Sequence, residues 1–309
     1  MHRAAACCNL QGGGEVASRF GPLLTAMVTP FDENLEVDYK KAGELARRLV
    51  ANGSTGLVVC GTTGESPTLT KEEKLGLFSA VLDAVGDRAK VIAGTGTNST
   101  RASIELTREA EKLGVHGALL VVPYYNKPPQ EGLYRHFAAI AGETSLPLML
   151  YNIPGRTGVN MTPDTIARLA EIKNIVSVKE STGNLDQATE IRRKTPPEFE
   201  IYSGDDSLTL PILAVGGAGV VSVASHIVGD RIRKMIDAYF AGNVAEAWQE
   251  NASLFPLFKA LFVTTNPIPV KYALKLTGFD AGGVRLPLVP PGEKEAQVIQ
   301  SALKEAGLL

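Results

Sequence analysis

Short apolar runs alternate along the chain with segments of helical periodicity. From Leu23 the runs are "LLTAMVTP" (23–30), "GLVVCG" (56–61), "KVIAGTG" (90–96), "GALLVVP" (117–123), "PLMLYN" (147–152), "IVSVKES" (175–181), "FEIYSGDD" (199–206) and "GVVSVAS" (219–225). Several are continuous rather than alternating, the pattern of parallel strands covered on both faces. The helices between them announce their ends. Ala42, Leu45, Ala46, Leu49 and Val50 form one apolar face after Asp38, and Gly53 can close that helix. Thr70 with Glu73 predicts a capping box, and Thr162 before Pro163 predicts an N-cap followed by an N1 proline. Eight strand-then-helix units predict an α/β fold, a (β/α)8 TIM barrel with a helical C-terminal extension. A doubly wound sheet would carry a glycine fingerprint in its first strand–helix turn, and "VTPFDEN" has none.

The barrel is assigned to residues 21–241 and the extension to 242–309. "RIRKMIDAYFAGN", "VAEAWQENASLFPLFKALFV" and the stretch from Pro267 to Thr277 read as helical. Residues 1–20, with their "QGGG" tract, read as a disordered tail lacking the apolar centre of a secretory signal.

Composition narrows the function. The chain has 309 residues, 44 % hydrophobic and 21 % charged, with a net charge of −2. That balance offers no basic face to nucleic acid and no polybasic anchor for a membrane surface, so the expected partner is a small molecule. No apolar run reaches the roughly 18 residues of a membrane span, and a cytoplasmic location is expected. Cys7, Cys8 and Cys60 do not have the spacing of a disulfide framework or a zinc site, and Cys60 reads as a small core residue.

In this barrel fold chemistry collects at the C-terminal ends of the strands. The second strand ends in "GTTGES", the fourth in "PYYNKP", the fifth in "YNIPGRTG", the sixth at Lys179–Glu180–Ser181 and the seventh in "SGDDS". None of the four histidines is among them, which argues against a serine-type triad and a zinc hydrolase alike. Asp205 and Asp206 stand without a further ligand cluster, so no metal is expected.

Lys179 is the residue that needs explaining. An exposed edge strand would account for it, but the sixth strand of a closed barrel has no edge. Alternation puts Ser177 and Lys179 on one face and Val176 and Val178 on the other. An inward lysine is desolvated, which favours the neutral amine, and such an amine attacks a ketone to form a Schiff base. The competing reading is a buried lysine paired with Glu180 or Asp205. Tyr151, one strand away, is either a packed aromatic or a phenol that moves protons on and off an imine. The "GTTGES" turn offers hydroxyls and backbone N–H groups suited to a small carboxylate, and it lacks the Gly-Lys-Ser/Thr of a phosphate loop. Arg156, in a Pro-Gly turn, could hold a second carboxylate.

"GTTGESPTL", "PYYNKP", "YNIPGRTG", "VSVKESTGN" and "GDDS" together resemble the dihydrodipicolinate synthase family, within the pyruvate-dependent class I aldolase superfamily of N-acetylneuraminate lyase. The resemblance runs from about Leu23 to the C-terminus, and the arginine of "YNIPGRTG" is the feature more specific to the synthases. It implies that Lys179 forms a Schiff base with pyruvate and that the enamine attacks L-aspartate 4-semialdehyde. The product is then 4-hydroxy-tetrahydrodipicolinate, in lysine and diaminopimelate biosynthesis, with no cofactor. Tyr151, Thr62 and Tyr125 would relay protons, Tyr125 entering from a neighbouring subunit. Thr63 would hold the pyruvate carboxylate, Arg156 would receive the semialdehyde, and backbone at Gly204 and Val221 would line the pocket. A homotetramer built as a dimer of dimers is implied. Where lysine-inhibited members carry histidines and a glutamate, this chain has Lys71, Lys74 and Ala102, which implies weak inhibition by lysine. Two alternatives stand beside this reading. One is a related aldolase acting on a sugar acid or a hydroxy-oxoglutarate, and the other a non-catalytic keto-acid-binding barrel.

Overall fold

Eight short parallel strands pair in chain order and close on themselves, β1 with β8. They are β1 Leu23–Ala26, β2 Gly56–Val59, β3 Lys90–Gly94, β4 Gly117–Val121, β5 Leu148–Asn152, β6 Ile175–Glu180, β7 Glu200–Ser203 and β8 Gly219–Ser222. The computed structural model describes residues 18–309. Residues 1–17 of the expected tail lie outside the described residues. Its last three do not fit that expectation: Phe20 is buried against the barrel interior and Ser18 Oγ bonds the Tyr202 hydroxyl at 2.6 Å.

The strands sort their side chains between two apolar layers. Leu24, Ala26, Val58, Ile92, Leu119, Met149, Tyr202 and Val221 fill the barrel, while Leu23, Leu57, Val91, Leu120, Leu150 and Val178 pack outward under the helices. This is why the runs read as continuous: each strand is covered on both faces. Alternation breaks once. Leu148 pairs with Ile175 but Met149 pairs with Ser177, so Val176 is a bulged extra residue. Val176 therefore packs against the interior cluster and does not share the outer face of Val178, as strict alternation had placed it.

The helix ends follow their sequence signals with one exception. Asp38 caps Tyr39–Ala51 through a bond to Lys41 N, and Thr70 and Glu73 form the capping box of Lys71–Val85. Thr162 sits at the cap of Pro163–Ala170, but its hydroxyl goes to Gln130 and Thr165 instead of the helix backbone. After β8 come the helices Ser225–Phe240, Val244–Ala260, Ile268–Leu276 and Glu293–Glu305. None of the described helices is long and apolar enough to cross a membrane.

His226 joins the end of β1 to the first of these helices. Its Nε2 accepts from Val28 N–H at 3.1 Å, so Nδ1 carries the proton and donates to Val223 O at 2.8 Å. Protonating Nε2 would set two donors against each other, and burial holds the imidazole pKa down to about 4. The unfolded chain takes up that proton near 6.5. The stability contribution is therefore complete above pH 6.5 and lost as pH falls towards 4, a change of about 3 kcal/mol. Denaturation midpoints from pH 7 to 4 should fall less steeply in His226→Gln than in the parent. Parallel pH profiles would refute this.

Candidate active site

Tyr151 and Lys179 are paired neighbours in the β5–β6 register, both directed into the barrel near its C-terminal end. Lys179 Nζ lies 4.3 Å from the centroid of the Tyr151 ring, and the lysine is 5 % exposed. Neither carboxylate considered as a structural partner reaches it. Glu180 points to the outer face, where Oε1 accepts from Thr182 N (2.8 Å) and Oε2 from Asn152 Nδ2 (3.2 Å) and Gln187 Nε2 (3.3 Å). Burial pushes the Glu180 carboxyl above the usual carboxylate range against the pull of those donors. Asp205 accepts from Ser207 N at 3.0 Å as the cap of a short turn. Among the described residues Lys179 makes no ion pair, so the structural explanation for it fails.

Room for the lysine chain comes from Gly204. A Cβ there would stand 1.7 Å from Ser181 Oγ and 2.9 Å from Lys179 Cε. A side chain at this position would have to displace Ser181 Oγ and would crowd the Lys179 chain. Asp206, next in the "GDDS" turn, is fully engaged elsewhere. It accepts from Ser222 Oγ and, at 3.0 Å each, from Val223 N and Ala224 N, tying the end of β7 to β8. The two aspartates therefore diverge, and no group of three or more candidate metal ligands is found among the described residues.

A cavity of about 340 Å³ opens at this end of the barrel, lined among others by Thr62, Tyr124, Tyr151, Arg156 and Lys74. The turns around it hold strained backbone. Cys60 (φ +57°) and Glu65 (φ +56°) flank the two threonines, and Tyr125 (φ +71°) and Lys127 (φ +43°) lie in the "PYYNKP" turn. Left-handed conformations of this kind cost about 1–3 kcal/mol each outside glycine and gather at functional sites.

The model of the dihydrodipicolinate synthetase family matches residues 19–306 of the chain. The chain belongs to this family. The 4-hydroxy-tetrahydrodipicolinate synthase of Desulforudis audaxviator (strain MP104C) is 61 % identical over 290 residues, covering 94 % of this chain and 99 % of that protein. That of Moorella thermoacetica (strain ATCC 39073 / JCM 9320) is 62 % identical over 291 residues, covering 94 % and 100 %. Among solved structures, dihydrodipicolinate synthase from Cyanidioschyzon merolae with lysine bound superposes with a TM-score of 0.93 at 52 % identity, covering 94 % of this chain and all of that one.

Most of the dihydrodipicolinate synthase residues expected from sequence come together. Thr62, Tyr151 and Arg156 line one cavity, Lys179 lies against Tyr151, Gly204 against Lys179, and Val221 in the same interior cluster as Tyr151. Thr63 is 3 % exposed at the same turn. Tyr125 stands apart: it is 91 % exposed and does not line the cavity of its own chain. Of the two cations in the stretch compared with lysine-inhibited members, Lys71 is neutralised by Glu109 at 2.7 Å. Lys74 lines the cavity, where burial lowers its pKa.

The C-terminal helices and their connections contribute residues that sequence reasoning missed. Asn266 Nδ2 donates to Thr63 Oγ1 at 2.8 Å, and Asn266 O accepts from Arg156 Nη2 at 3.3 Å. Lys271 Nζ bonds Glu65 Oε1 and Gly283 O, each at 2.7 Å, beneath the ring of Phe31. Arg285 N donates to Glu65 Oε2 at 2.9 Å, and its guanidinium grips Glu73 and Thr68 O. The turn carrying the two threonines is thus fastened from behind by the last quarter of the chain.

Proposed function

We propose that Lys179 is the amine that activates pyruvate in this enzyme. The reaction is that of the family: pyruvate and L-aspartate 4-semialdehyde condense to 4-hydroxy-tetrahydrodipicolinate with loss of one water, in lysine and diaminopimelate biosynthesis. One observation carries the assignment of Lys179. It is a buried lysine with no ion-pair partner among the described residues, set beside a phenol at the C-terminal end of a closed barrel. The amine attacks C2 of pyruvate and, as a proton is delivered to the departing oxygen, water leaves to give an iminium. Loss of a C3 proton gives the enamine, which bonds to the aldehyde carbon of the second substrate. The amine of that substrate then attacks the former imine carbon, closing the ring and releasing Lys179.

Tyr151 and Thr62 line the same cavity and serve the proton transfers at the imine and the new hydroxyl. Thr63 takes the pyruvate carboxylate and Arg156 that of the semialdehyde, which disfavours a sugar-acid aldolase. Backbone at Gly204 and Val221 completes the pocket. The exposed, left-handed Tyr125 supports its insertion into the site of a second copy, hence a homo-oligomer, with a dimer of dimers as the assembly. A dihydrodipicolinate synthase variant described as monomeric is 45 % identical to this chain; sedimentation of this protein should give a tetramer, and a fully active monomer would remove Tyr125 from the site.

Borohydride reduction in the presence of pyruvate should leave a permanent adduct that peptide mapping places on Lys179. Turnover with both substrates should reach about 1–100 per second, an ordinary enzyme rate. Turnover without an adduct would remove Lys179 from the mechanism, and neither would leave a keto-acid-binding barrel.

A further inference from the structure

Thr63 and Arg156 sit on different turns, after β2 and after β5, yet both are fastened to one residue of the C-terminal segment. Asn266, 5 % exposed in the connection between the helices Val244–Ala260 and Ile268–Leu276, uses its side-chain amide on Thr63 and its main-chain carbonyl on Arg156. Neither bond is local, since Asn266 lies 203 residues from Thr63 and 110 from Arg156.

The side-chain bond runs from Nδ2 to the hydroxyl, leaving Asn266 Oδ1 buried without a hydrogen-bond partner among the described residues, and this direction matters. A threonine hydroxyl owns one proton and two lone pairs. With one lone pair occupied by Asn266 N–H, the Thr63 O–H is left to point elsewhere as a donor. A hydroxyl oriented in this way meets a carboxylate with a charge-assisted bond, roughly twice as strong as a neutral one. The reverse orientation, with Thr63 donating to a side-chain acceptor, would present lone pairs to an anion.

We infer that Asn266 is a positioning residue that sets the Thr63 hydroxyl as a donor to the carboxylate of the keto-acid substrate while its carbonyl seats the arginine of the second subsite. This rests on the reading above that Thr63 and Arg156 hold the two carboxylates. It assigns a task to the C-terminal segment beyond packing: one residue aligns both anchors.

Asn266→Asp is the decisive variant, because it keeps the shape and reverses the bond. The carboxylate accepts the Thr63 proton and adds a negative charge next to the anion site. Half-saturation by pyruvate can be read without the second substrate, from borohydride trapping of the imine. It should rise about 10- to 100-fold in Asn266→Asp and less, about 3- to 10-fold, in Asn266→Ala. The Asp defect should shrink as pH is lowered, because a protonated carboxyl regains an O–H to donate. The KM for the semialdehyde should move less than threefold, since both variants keep the main-chain carbonyl that Arg156 uses. A merely structural loss would raise both constants together and show no recovery in acid.

Thr63→Val separates the possible failures. If it leaves pyruvate half-saturation unchanged, Thr63 does not hold the carboxylate and the functional reading is wrong at that residue. If it raises half-saturation while Asn266→Asp and Asn266→Ala do not, the inference about Asn266 falls alone. If both are right, the double variant Thr63→Val, Asn266→Ala, which adds no charge, should be no worse than about twofold beyond Thr63→Val. Should the Asp variant not fold, the smaller pyruvate-specific rise in Asn266→Ala decides the question.

Discussion

Lys179→Ala is expected to lower turnover by about 10⁴-fold or more, the scale on which loss of a covalent nucleophile acts. The geometry leaves no substitute at the reacting carbon. Tyr151, which pairs with it in the sheet, is a phenol that cannot form an iminium, and Glu180 is directed to the other face of the strand. The protein itself should survive the change. Lys179 contributes no ion pair among the described residues, and its contact with the Tyr151 ring at 4.3 Å offsets little of the cost of burying an amine. A thermal midpoint equal to or above that of the parent, together with lost turnover and lost borohydride trapping, would fit both statements. Activity within tenfold of the parent would sink the assignment. Lys179→Met, which keeps most of the side-chain volume, controls for collapse of the interior.

The second large effect concerns stability. Lys271 and Glu65 form a buried pair with side-chain exposures of 3 % and 1 %, linking the helix Ile268–Leu276 to the turn after β2. Burial pushes the Lys271 pKa down to about 8 despite the attraction of Glu65. Removing the lysine leaves the carboxylate without its cation, although Arg285 N–H still reaches Oε2. Lys271→Met should therefore cost about 3–5 kcal/mol in denaturant unfolding, the scale of a broken buried pair. Adding Glu65→Gln to that variant should recover much of the loss, since no uncompensated charge remains. A single-variant loss under about 1 kcal/mol would mean that the pair is solvated in a way its burial does not indicate.

Much of this molecule is legible without coordinates because its information is local. Parallel strands buried on two faces leave uninterrupted apolar runs, and the residues that end them sit at one mouth of the barrel by construction. Lys179, Tyr151 and Arg156 could be placed there from chain position alone. What escaped reading is long-range or depends on register. Nothing in "TTNPIP" indicates that Asn266 meets Thr63, because that bond spans 203 residues. The Lys271–Glu65 pair spans 206. The bulge at Val176 is invisible for a different reason: valine suits the inner and outer layers equally, so the pattern carries no mark of the slip. Thr162 shows a smaller failure. A residue with the right identity at a helix start chose a side-chain partner, Gln130, that only the fold brings near.

The clamp on the "GTTGES" turn also has an order in time. Synthesis runs from the N-terminus, and domains begin to fold as they emerge. Thr63 and Glu65 leave the ribosome some two hundred residues ahead of Asn266, Lys271 and Arg285, which hold them in place. A nascent chain with all eight strands already made would still lack the groups that fix this turn. The turn after β2 is thus fastened by residues translated long after it, and a message broken off between the eighth strand and Asn266 yields a barrel whose turn is not yet held.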